Sequence, residues 1–238
     1  MAEQVWQDEH VDADVDGVHV LMRRGKRDEQ QDAAYLGLGV VAVADGMGGH
    51  QDGAAASKVA LDAFAAMIDQ GGGLNDAAAH ADAAVRALAG SGWSPRAPGT
   101  TLVAARIDGE MVRGLWSGDS RVYRLRSDGQ LEQLTEDHSG FMGAIEHALG
   151  AFDPEELHLD EFSCELAETA GLLLCTDGLT GPFDAACDHG GTVGDVGLVD
   201  GDVAATIAML LADRGIHGLV DLAAQASSDN ITALWWPL

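Results

Sequence analysis

The sequence predicts an α+β fold in which sheets lie between layers of helix, and three observations lead to this prediction. Apolar runs separated by Asp-Gly pairs fill the centre of the chain, from residue 99 to 134, and are typical of strands. Alanine-rich segments at 53–90 and 200–226 flank that centre and carry apolar residues at helical spacing. Neither a repeat nor a linker-like stretch divides the sequence, so residues 1–238 are expected to form a single domain.

The N-terminal half is predicted to contain two strands and two helices. Residues 17–24 have strand composition, and residues 34–44 form a continuous apolar run of the kind found in a strand covered on both faces. Residues 53–70 and 74–90 are predicted helices. The glycines at 71–73 stand between these helices, so they are interpreted as a connector and not as a phosphate-binding loop.

Asp-Gly pairs at 108–109 and 128–129 separate strand-like segments and predict two β-hairpins. A meander of antiparallel strands is therefore expected in the centre of the chain. The remaining assignments are strands at 171–177 and 230–236 and a largely helical segment at 200–226, while residues 140–168 show no clear pattern.

Charge and composition restrict the partners. The chain has 39 acidic and 13 basic residues, a formal net charge of −26, which repels nucleic acid and anionic membrane and attracts cations. An acidic N-terminus and the absence of about 18 uninterrupted apolar residues give no sign of a secretory signal or a membrane span, so a cytoplasmic location is expected. The three cysteines lack metal-site spacing and are expected to be reduced.

A calcium site near the N-terminus is considered first. Asp12, Asp14, Asp16 and Gly17 occupy four positions of an EF-hand loop. Arg23 stands where that loop needs a bidentate glutamate, and no helix is predicted before it. Residues 12–17 are therefore interpreted as an acidic turn.

Three aspartates stand at the ends of predicted strands. Asp45 closes one apolar run immediately before Gly46, Asp177 closes a second, and Asp229 precedes a third. A carboxylate there is costly to desolvate unless it is paired or binds a metal, and basic residues are scarce. Oxygen ligands, with the Gly46 carbonyl as a candidate, favour hard cations such as Mg²⁺ or Mn²⁺. The alternative is that each aspartate caps a helix or closes a turn.

Eight motifs point to a known family. They are, in order, RDEQQDA (27–33), ADGMGGHQDGAAAS (44–57), GTTLVAARI (99–107), SGDSRVYRL (117–125), LTEDHS (134–139), ALG (148–150), LLLCTDGLTG (172–181) and SDNIT (228–232). With these motifs the chain resembles the bacterial metal-dependent Ser/Thr protein phosphatases, the PPM or type 2C family, over nearly its whole length. The resemblance implies a four-layer α-β-β-α sandwich of two antiparallel sheets flanked by helix pairs, with a two-metal centre at one end.

The resemblance also implies roles for individual residues in the metal centre. Asp45 would bridge two Mn²⁺ or Mg²⁺ ions, the Gly46 carbonyl would bind one of them, and Asp177 and Asp229 would bind the other. Asp32 would support the site through metal-bound water.

Two further residues take their roles from the same resemblance. Asp119, together with Asp177, would hold a third and weaker ion, and Arg27 would bind the substrate phosphate. Two such cations lower the pKa of a shared water, which would attack phosphorus in line. The implied substrates are phosphoserine and phosphothreonine in proteins, with a Ser/Thr kinase as the opposing partner. A metal phosphodiesterase and a non-catalytic member that binds phosphoproteins or a kinase are the alternatives.

Several residues depart from the family pattern. Gln30 stands for the usual asparagine, and Gln31 for an acidic residue, which would alter support of the second metal. The flap region near 139–150 is short, and Met47 replaces a histidine that eukaryotic relatives carry. His50 is a candidate general acid, with support of the glycine loop as the alternative, and His138 is expected to order a loop.

Overall fold

The computed structural model describes residues 4–47, 51–89, 97–140, 144–150 and 157–238. Within them the helices are α1 (Gln51–Asp69), α2 (Leu74–Ala89), α3 (Asp177–His189) and α4 (Val203–Ala226). The strands are β1 (Gln4–Trp6), β2 (His10–Val15), β3 (Val18–Arg23), β4 (Asp32–Gly37), β5 (Val40–Met47), β6 (Gly99–Thr100), β7 (Leu102–Asp108), β8 (Met111–Ser117), β9 (Arg121–Arg126), β10 (Leu131–Gln133), β11 (Asp160–Glu165), β12 (Thr169–Cys175), β13 (Thr192–Val193), β14 (Val196–Gly197) and β15 (Ile231–Pro237).

Two antiparallel sheets pack face to face. The first has the order β1-β4-β5-β7-β8-β11, with β6 paired to β5, and the second has the order β10-β9-β12-β15-β3-β2. Helices α1 and α2 cover the outer face of the first sheet, and α3 and α4 cover the outer face of the second. This arrangement confirms the four-layer α-β-β-α sandwich expected from the sequence.

Side-chain alternation along the strands fills three apolar layers. In β4, Ala34 and Leu36 contribute to the core between the sheets, while Ala33 and Tyr35 pack in the layer beneath α1 and α2. Because both faces of the strand are covered, its residues are apolar without interruption. The continuous apolar runs of the sequence therefore mark central strands of a layered domain.

One predicted strand is wrong in its extent. Residues 34–44 do not form a single strand; β4 and β5 are antiparallel partners joined by a tight turn at Leu38 and Gly39. Both residues have positive φ, 49° and 72°, as a two-residue hairpin turn of this hand requires. Leucine is a rare choice at such a position, so the sequence does not mark the turn.

The N-terminal residues form more structure than the sequence indicated. Asp12 and Asp14 lie in β2, which pairs with β3, and only Asp16 and Gly17 form the turn between them. The acidic-turn interpretation is therefore wrong for most of the segment, and no helix-loop-helix surrounds it. Strands β1, β2, β11, β13 and β14 and helix α3 were not predicted.

The strand predicted at 171–177 ends at Cys175, and Asp177 begins α3, whereas both central hairpins and the connector between the first two helices are confirmed. Asp108-Gly109 and Asp128-Gly129 lie at the β7–β8 and β9–β10 hairpins, and residues 71–73 connect α1 to α2. The cysteines are all free, and two of them are buried.

Helix α4 is long and apolar enough, by length and composition alone, to cross a membrane. Its buried side chains Ile207, Leu210, Leu219 and Ala223 belong to the core on the outer face of the second sheet. Gly215, with φ 66° and ψ −179°, interrupts its helical conformation. The apolar composition of α4 is thus explained by its packing inside the domain.

Candidate metal centre

Five aspartates come together at one end of the sandwich. Asp32 begins β4 and lies opposite Asp45 of β5 in the strand register. Asp119 lies between β8 and β9, Asp177 begins α3 directly after β12, and Asp229 stands two residues before β15. Because β9, β12 and β15 are neighbours in the second sheet, their ends bring three of the carboxylates to the same edge. The predicted convergence of distant strand ends is therefore present.

Asp32 links the two sheets beneath the site. Its Oδ2 accepts hydrogen bonds from Thr176 Oγ1 (2.9 Å) and Thr232 Oγ1 (2.7 Å), both from the second sheet. The Thr232 amide in turn donates to Thr176 Oγ1 (3.1 Å). Burial raises the pKa of Asp32 to about 7, although the bonds from both threonines lower it. Asp32 is thus a buried carboxyl held in a fixed orientation.

Asp45 is fixed through its backbone, which leaves its carboxylate available. Its amide donates to Thr101 Oγ1 (2.9 Å), and its carbonyl accepts from Thr101 N (2.9 Å) and Thr100 Oγ1 (2.8 Å). Thr101 Oγ1 also shares a hydrogen bond with Ser120 Oγ (2.7 Å), next to Asp119. Thr100, the last residue of β6, and Thr101 after it therefore hold Asp45 and the Asp119 loop in one unit.

The carboxylates raise one another's pKa values. Burial raises the pKa of Asp45 well above its usual range, and the negative charges of Asp32, Asp177, Asp119 and Asp229 raise it further. Burial, followed by the charge of Asp177, raises the pKa of Asp119 to about 7. Burial and the charge of Asp229 likewise raise the pKa of Asp177. A positive ion placed among these groups would lower all of these pKa values.

The donor set fits hard divalent cations. The Oδ1 atoms of Asp32, Asp119 and Asp177 are buried without a hydrogen-bond partner, which is costly unless another ligand satisfies them. Among the described ion pairs, only Arg27 contacts one of the five carboxylates, Asp229. All candidate ligand atoms are oxygens, the donors that Mg²⁺ and Mn²⁺ prefer.

These carboxylates are also spread more widely than one ion requires. In the described part of the chain, no three of their ligand atoms all lie within 4.8 Å of one another. In this arrangement the described carboxylates therefore do not surround a single ion with three ligand atoms.

Glycines let the chain segments of the site approach closely. A Cβ atom on Gly46 would lie 2.0 Å from the Gly53 carbonyl oxygen at the start of α1. A Cβ atom on Gly178 would lie 1.8 Å from the Asn230 carbonyl oxygen. The glycine after Asp45 is thus required by packing against α1, a reason that differs from the close approach to an ion expected from the sequence.

Arg27 lies at the open side of the carboxylates. Its Nη2 donates a hydrogen bond to Asp229, and its side chain remains 49% exposed. The bond to Asp229 raises the pKa of Arg27, and the charges of Asp45 and Asp177 act in the same direction. The guanidinium therefore stands beside the centre with donors that a phosphate could reach.

A sequence model of the family described as Protein phosphatase 2C matches residues 25–196. The chain belongs to the protein phosphatase 2C family. Of its relatives, the serine/threonine protein phosphatase PstP of Mycobacterium tuberculosis is 38% identical over 139 residues, which cover 56% of this chain and 26% of PstP. This chain thus spans about a quarter of the length of that relative.

Solved structures of the 2C family resemble almost the whole chain. A crystal structure of the M. tuberculosis phosphatase PstP/Ppp has a TM-score of 0.72 at 28% identity and covers 93% of this chain and 97% of that one. The PstP catalytic domain in complex with two manganese ions has a TM-score of 0.67 at 27% identity, with coverage of 92% and 96%. These relatives support the fold and identify a manganese-binding member of the family.

Sequence reasoning missed the residues that hold this 2C-family site together. Asn230 Oδ1 accepts from the Gln31 amide (2.9 Å), and its Nδ2 donates to the carbonyls of Arg24 (2.8 Å) and Glu29 (3.0 Å). It thereby fastens the segment that carries Arg27 and Asp32. In the sequence, Asn230 and the two threonines beneath Asp32 are marked only as polar residues at the ends of apolar strands.

The two glutamines that depart from the family pattern have structural contacts. Gln30 Oε1 accepts from the Asp32 amide (3.0 Å), and Gln31 Nε2 donates to Glu29 Oε1 (3.1 Å). Gln30 therefore orients Asp32 directly. Met47 is the last residue of β5, and His50 lies outside the described residues.

The Asp119 loop is held from the side of β10. His138 Nδ1 accepts from the Gly118 amide (3.2 Å), which confirms that His138 orders a loop. Arg121 binds Asp137 through Nε (2.9 Å) and Nη2 (2.6 Å), and also contacts Asp184. These buried contacts explain the serine-arginine pair that follows Asp119 in the sequence.

Proposed function

We propose that this chain is a metal-dependent protein phosphatase that hydrolyses phosphoserine and phosphothreonine monoesters in proteins. The observation that carries the proposal is that five aspartates converge at one end of the sandwich. Among the described ion pairs, Arg27 alone pairs with one of them. The printed names of the relatives, which are serine/threonine phosphatases, support it. Both the activity of this chain and its substrates are proposed.

The core ions would be two Mn²⁺ or Mg²⁺. Asp45, the Gly46 carbonyl, Asp177 and Asp229 would hold them, because these groups offer oxygen donors at adjacent strand ends. When bound, such cations lower the pKa of water and neutralise phosphate oxygens. Asp119, with Asp177, would hold a third ion.

The protein's own groups position the reactants. Asp32 supports the centre from beneath through the threonines of the second sheet, so it remains fixed while substrates exchange. Arg27 would donate two N–H groups to a phosphate and orient it for in-line attack. No side chain in this scheme serves as the nucleophile.

The partners follow from the same proposal. Phosphorylated proteins would be the substrates, and a Ser/Thr kinase in the cytoplasm would be the opposing partner. The net charge of −26 disfavours nucleic acid and therefore a phosphodiesterase acting on it. Retention of all five carboxylates weighs against a non-catalytic role, since a binding module has no need of them.

Hydrolysis of a phosphothreonine peptide tests the proposal. We expect phosphate release with Mn²⁺ or Mg²⁺, and none after the cations are removed with a chelator. Asp45→Asn is expected to lower kcat at least about 100-fold, in the range seen when a charge-stabilising group is lost. Asp69→Asn, at the exposed end of α1, is the matched control and should behave like the wild type. Chelator-resistant activity, or normal turnover by Asp45→Asn, would contradict the proposal.

A further inference from the structure

Three of the nine histidines lie together beside the Asp119 loop, and none of them belongs to the carboxylate centre. His138 Nε2 lies 3.1 Å from Asp160 Oδ2, and His158 Nε2 lies 3.6 Å from the same oxygen. One ligand atom from each of His138, His158 and Asp160 lies within 4.8 Å of the ligand atoms of the other two. The His147 ring stacks on His158 with 4.0 Å between centroids.

We propose that His138, His158 and Asp160 form a second metal site, which binds a divalent transition cation of the zinc class. Zn²⁺ binds histidine nitrogen and carboxylate oxygen at about 2.0–2.2 Å, so tetrahedral ligand atoms lie about 3.3 Å apart. The distances of 3.1 and 3.6 Å to Asp160 bracket that value. Imidazole nitrogen suits Zn²⁺ better than Mg²⁺, in contrast to the all-oxygen centre described above.

The site is partly preorganised and open to solvent. The His138 side chain is only 8% exposed and stacks on Trp116 with 5.6 Å between ring centroids, which limits its rotation. The side chains of His158 and Asp160 remain about half exposed at a cleft of about 610 Å³. The acidic side chains that line the same cleft are Glu136, Asp137 and Glu146. Their charge favours the entry of cations.

Cation binding would change the protonation of His138. Its Nδ1 accepts from the Gly118 amide, so in the metal-free protein the ring proton is on Nε2, which donates to Asp160. A cation on Nε2 displaces that proton to Nδ1, and the Gly118 contact must then open. Loss of this 3.2 Å hydrogen bond is a cost that binding of the cation must offset. The Gly118 amide therefore reports on occupancy of the site.

The cation would also join two separate parts of the chain. His138 follows β10, whereas His158 and Asp160 lie at the beginning of β11 in the first sheet. A bound cation would therefore tie the segment after β10 to the start of β11. Binding to the folded state alone raises the midpoint of thermal unfolding.

Titration of the metal-stripped chain with Co²⁺ or Zn²⁺ in excess Mg²⁺ tests the proposal. Excess Mg²⁺ competes for the carboxylate centre, whose metal binding rests on the proposed function, and we expect one further equivalent of Co²⁺ with visible absorption typical of nitrogen and oxygen ligands. Zn²⁺ should raise the unfolding midpoint and shift the Gly118 amide resonance. The variants His158→Ala and Asp160→Asn should each lose that equivalent and both shifts, since the exposed ligands can be replaced without opening the core.

His189→Ala is the matched control, because among the described residues this exposed histidine is hydrogen-bonded within its own helix, to the Ala185 carbonyl. It should keep the equivalent and the shifts. The proposal is overturned if the wild type binds no further equivalent in excess Mg²⁺. It is also overturned if the bound Co²⁺ and its absorption persist unchanged in both His158→Ala and Asp160→Asn, because the cation would then occupy the carboxylate centre.

Discussion

Asp32 shows how one side chain can belong to the fold and to the site. It is buried, it begins a strand of the first sheet, and both of its hydrogen-bonded threonines come from the second sheet. Its second oxygen has no partner among the described atoms. The hydroxyl donors therefore fix one side of the carboxyl group while the other side remains available to the metal centre.

Removal of one hydroxyl beneath Asp32 should weaken the metal centre without unfolding the protein. Thr232→Val keeps the shape of the side chain but removes the 2.7 Å donor to Asp32. Groups that orient a metal-supporting residue contribute about 10–100-fold to metal affinity or activity. We expect a loss of that size in Mn²⁺ affinity, measured by calorimetry. Thr192→Val, on the exposed side of β13, is the control, and an equal loss there would contradict the assignment.

Arg27 should affect substrate binding more than turnover. Its guanidinium is exposed and paired with Asp229, so replacement with alanine leaves no buried charge unpaired. A charge-assisted hydrogen bond contributes about 1.5–3 kcal/mol, which corresponds to a KM about 10–100-fold higher for Arg27→Ala. Steady-state kinetics on a phosphothreonine peptide measures this. A fall in kcat with unchanged KM would show that Arg27 does not bind the ground-state phosphate.

The residues of the centre were predictable to different degrees. Asp45, Asp177 and Asp229 stand out because an ionised residue ends or precedes an apolar run. Thr176 and Thr232 carry no such signal, since their partner Asp32 lies 144 and 200 residues away in sequence. A role that depends on the packing of one sheet against another is not encoded by local pattern.

At the scale of elements, the site depends on how closely the start of α3 approaches the residues before β15. Asp177 and Asp229 are brought together there, and Gly178 permits the contact because its α-carbon faces the Asn230 carbonyl. The same helix contains a second glycine, Gly181, with no atom within 4 Å of a Cβ position. An alanine at Gly178 therefore tests the contact with Asn230, and an alanine at Gly181 in the same helix is the control.

Gly178→Ala should destabilise the protein much more than Gly181→Ala. A Cβ on Gly178 would lie 1.8 Å from the Asn230 oxygen, so α3 must shift, at a cost of about 1–3 kcal/mol. At 181 the lower entropic cost of alanine is opposed by Pro182, which disfavours the helical conformation of a preceding residue with a Cβ, so the change should stay within about 0.5 kcal/mol. Urea denaturation measures both changes. Gly178→Ala should also lower the affinity for Mn²⁺. If the two variants were equally stable, Gly178 would not lie as close to the Asn230 carbonyl as the structure shows.

Strand boundaries were predicted best where turn-forming residues such as Asp-Gly separate the strands. The Asp-Gly pairs marked both central hairpins, whereas the Leu38-Gly39 turn carries no such mark and two strands were merged into one. Helix α3 escaped prediction because a single residue, Thr176, separates it from β12 and because it contains glycine and proline. Strong tertiary packing forms such elements where local preference is weak.

At the scale of the whole molecule, five carboxyl groups at one end of the sandwich are withdrawn from the exposed acidic surface. The chain has a net charge of −26, and five of its carboxylates share one end of the sandwich. Without cations, burial raises the pKa values of Asp32 and Asp119 to about 7, and burial together with the neighbouring negative charges raises the pKa of Asp45 well above its usual range. Folding of the metal-free chain is therefore linked to proton binding as well as to metal binding.

Stability of the metal-free protein should fall as the pH rises from about 4 to 7. The pKa of Asp32 is about 7 in the folded protein against 3.8 for the free side chain, so within this window the folded state holds a proton that the unfolded state has released. Excess protons on the folded state mean that stability decreases with increasing pH, and the loss is complete above about pH 7. Asp119 contributes in the same direction.

Asp32→Asn isolates this effect, because an amide imitates the protonated carboxyl at every pH. Relative to the wild type, the variant should be more stable at pH 7.5 than at pH 5.5, as measured by urea denaturation after metal removal. His138, whose pKa burial lowers, titrates in both proteins and cancels in the comparison. Added Mg²⁺ should stabilise the wild type most at pH 7.5, where the cation no longer competes with protons. A stability difference that is the same at both pH values would mean that Asp32 is ionised throughout, and that repulsion among the buried carboxylates is weaker than their burial implies.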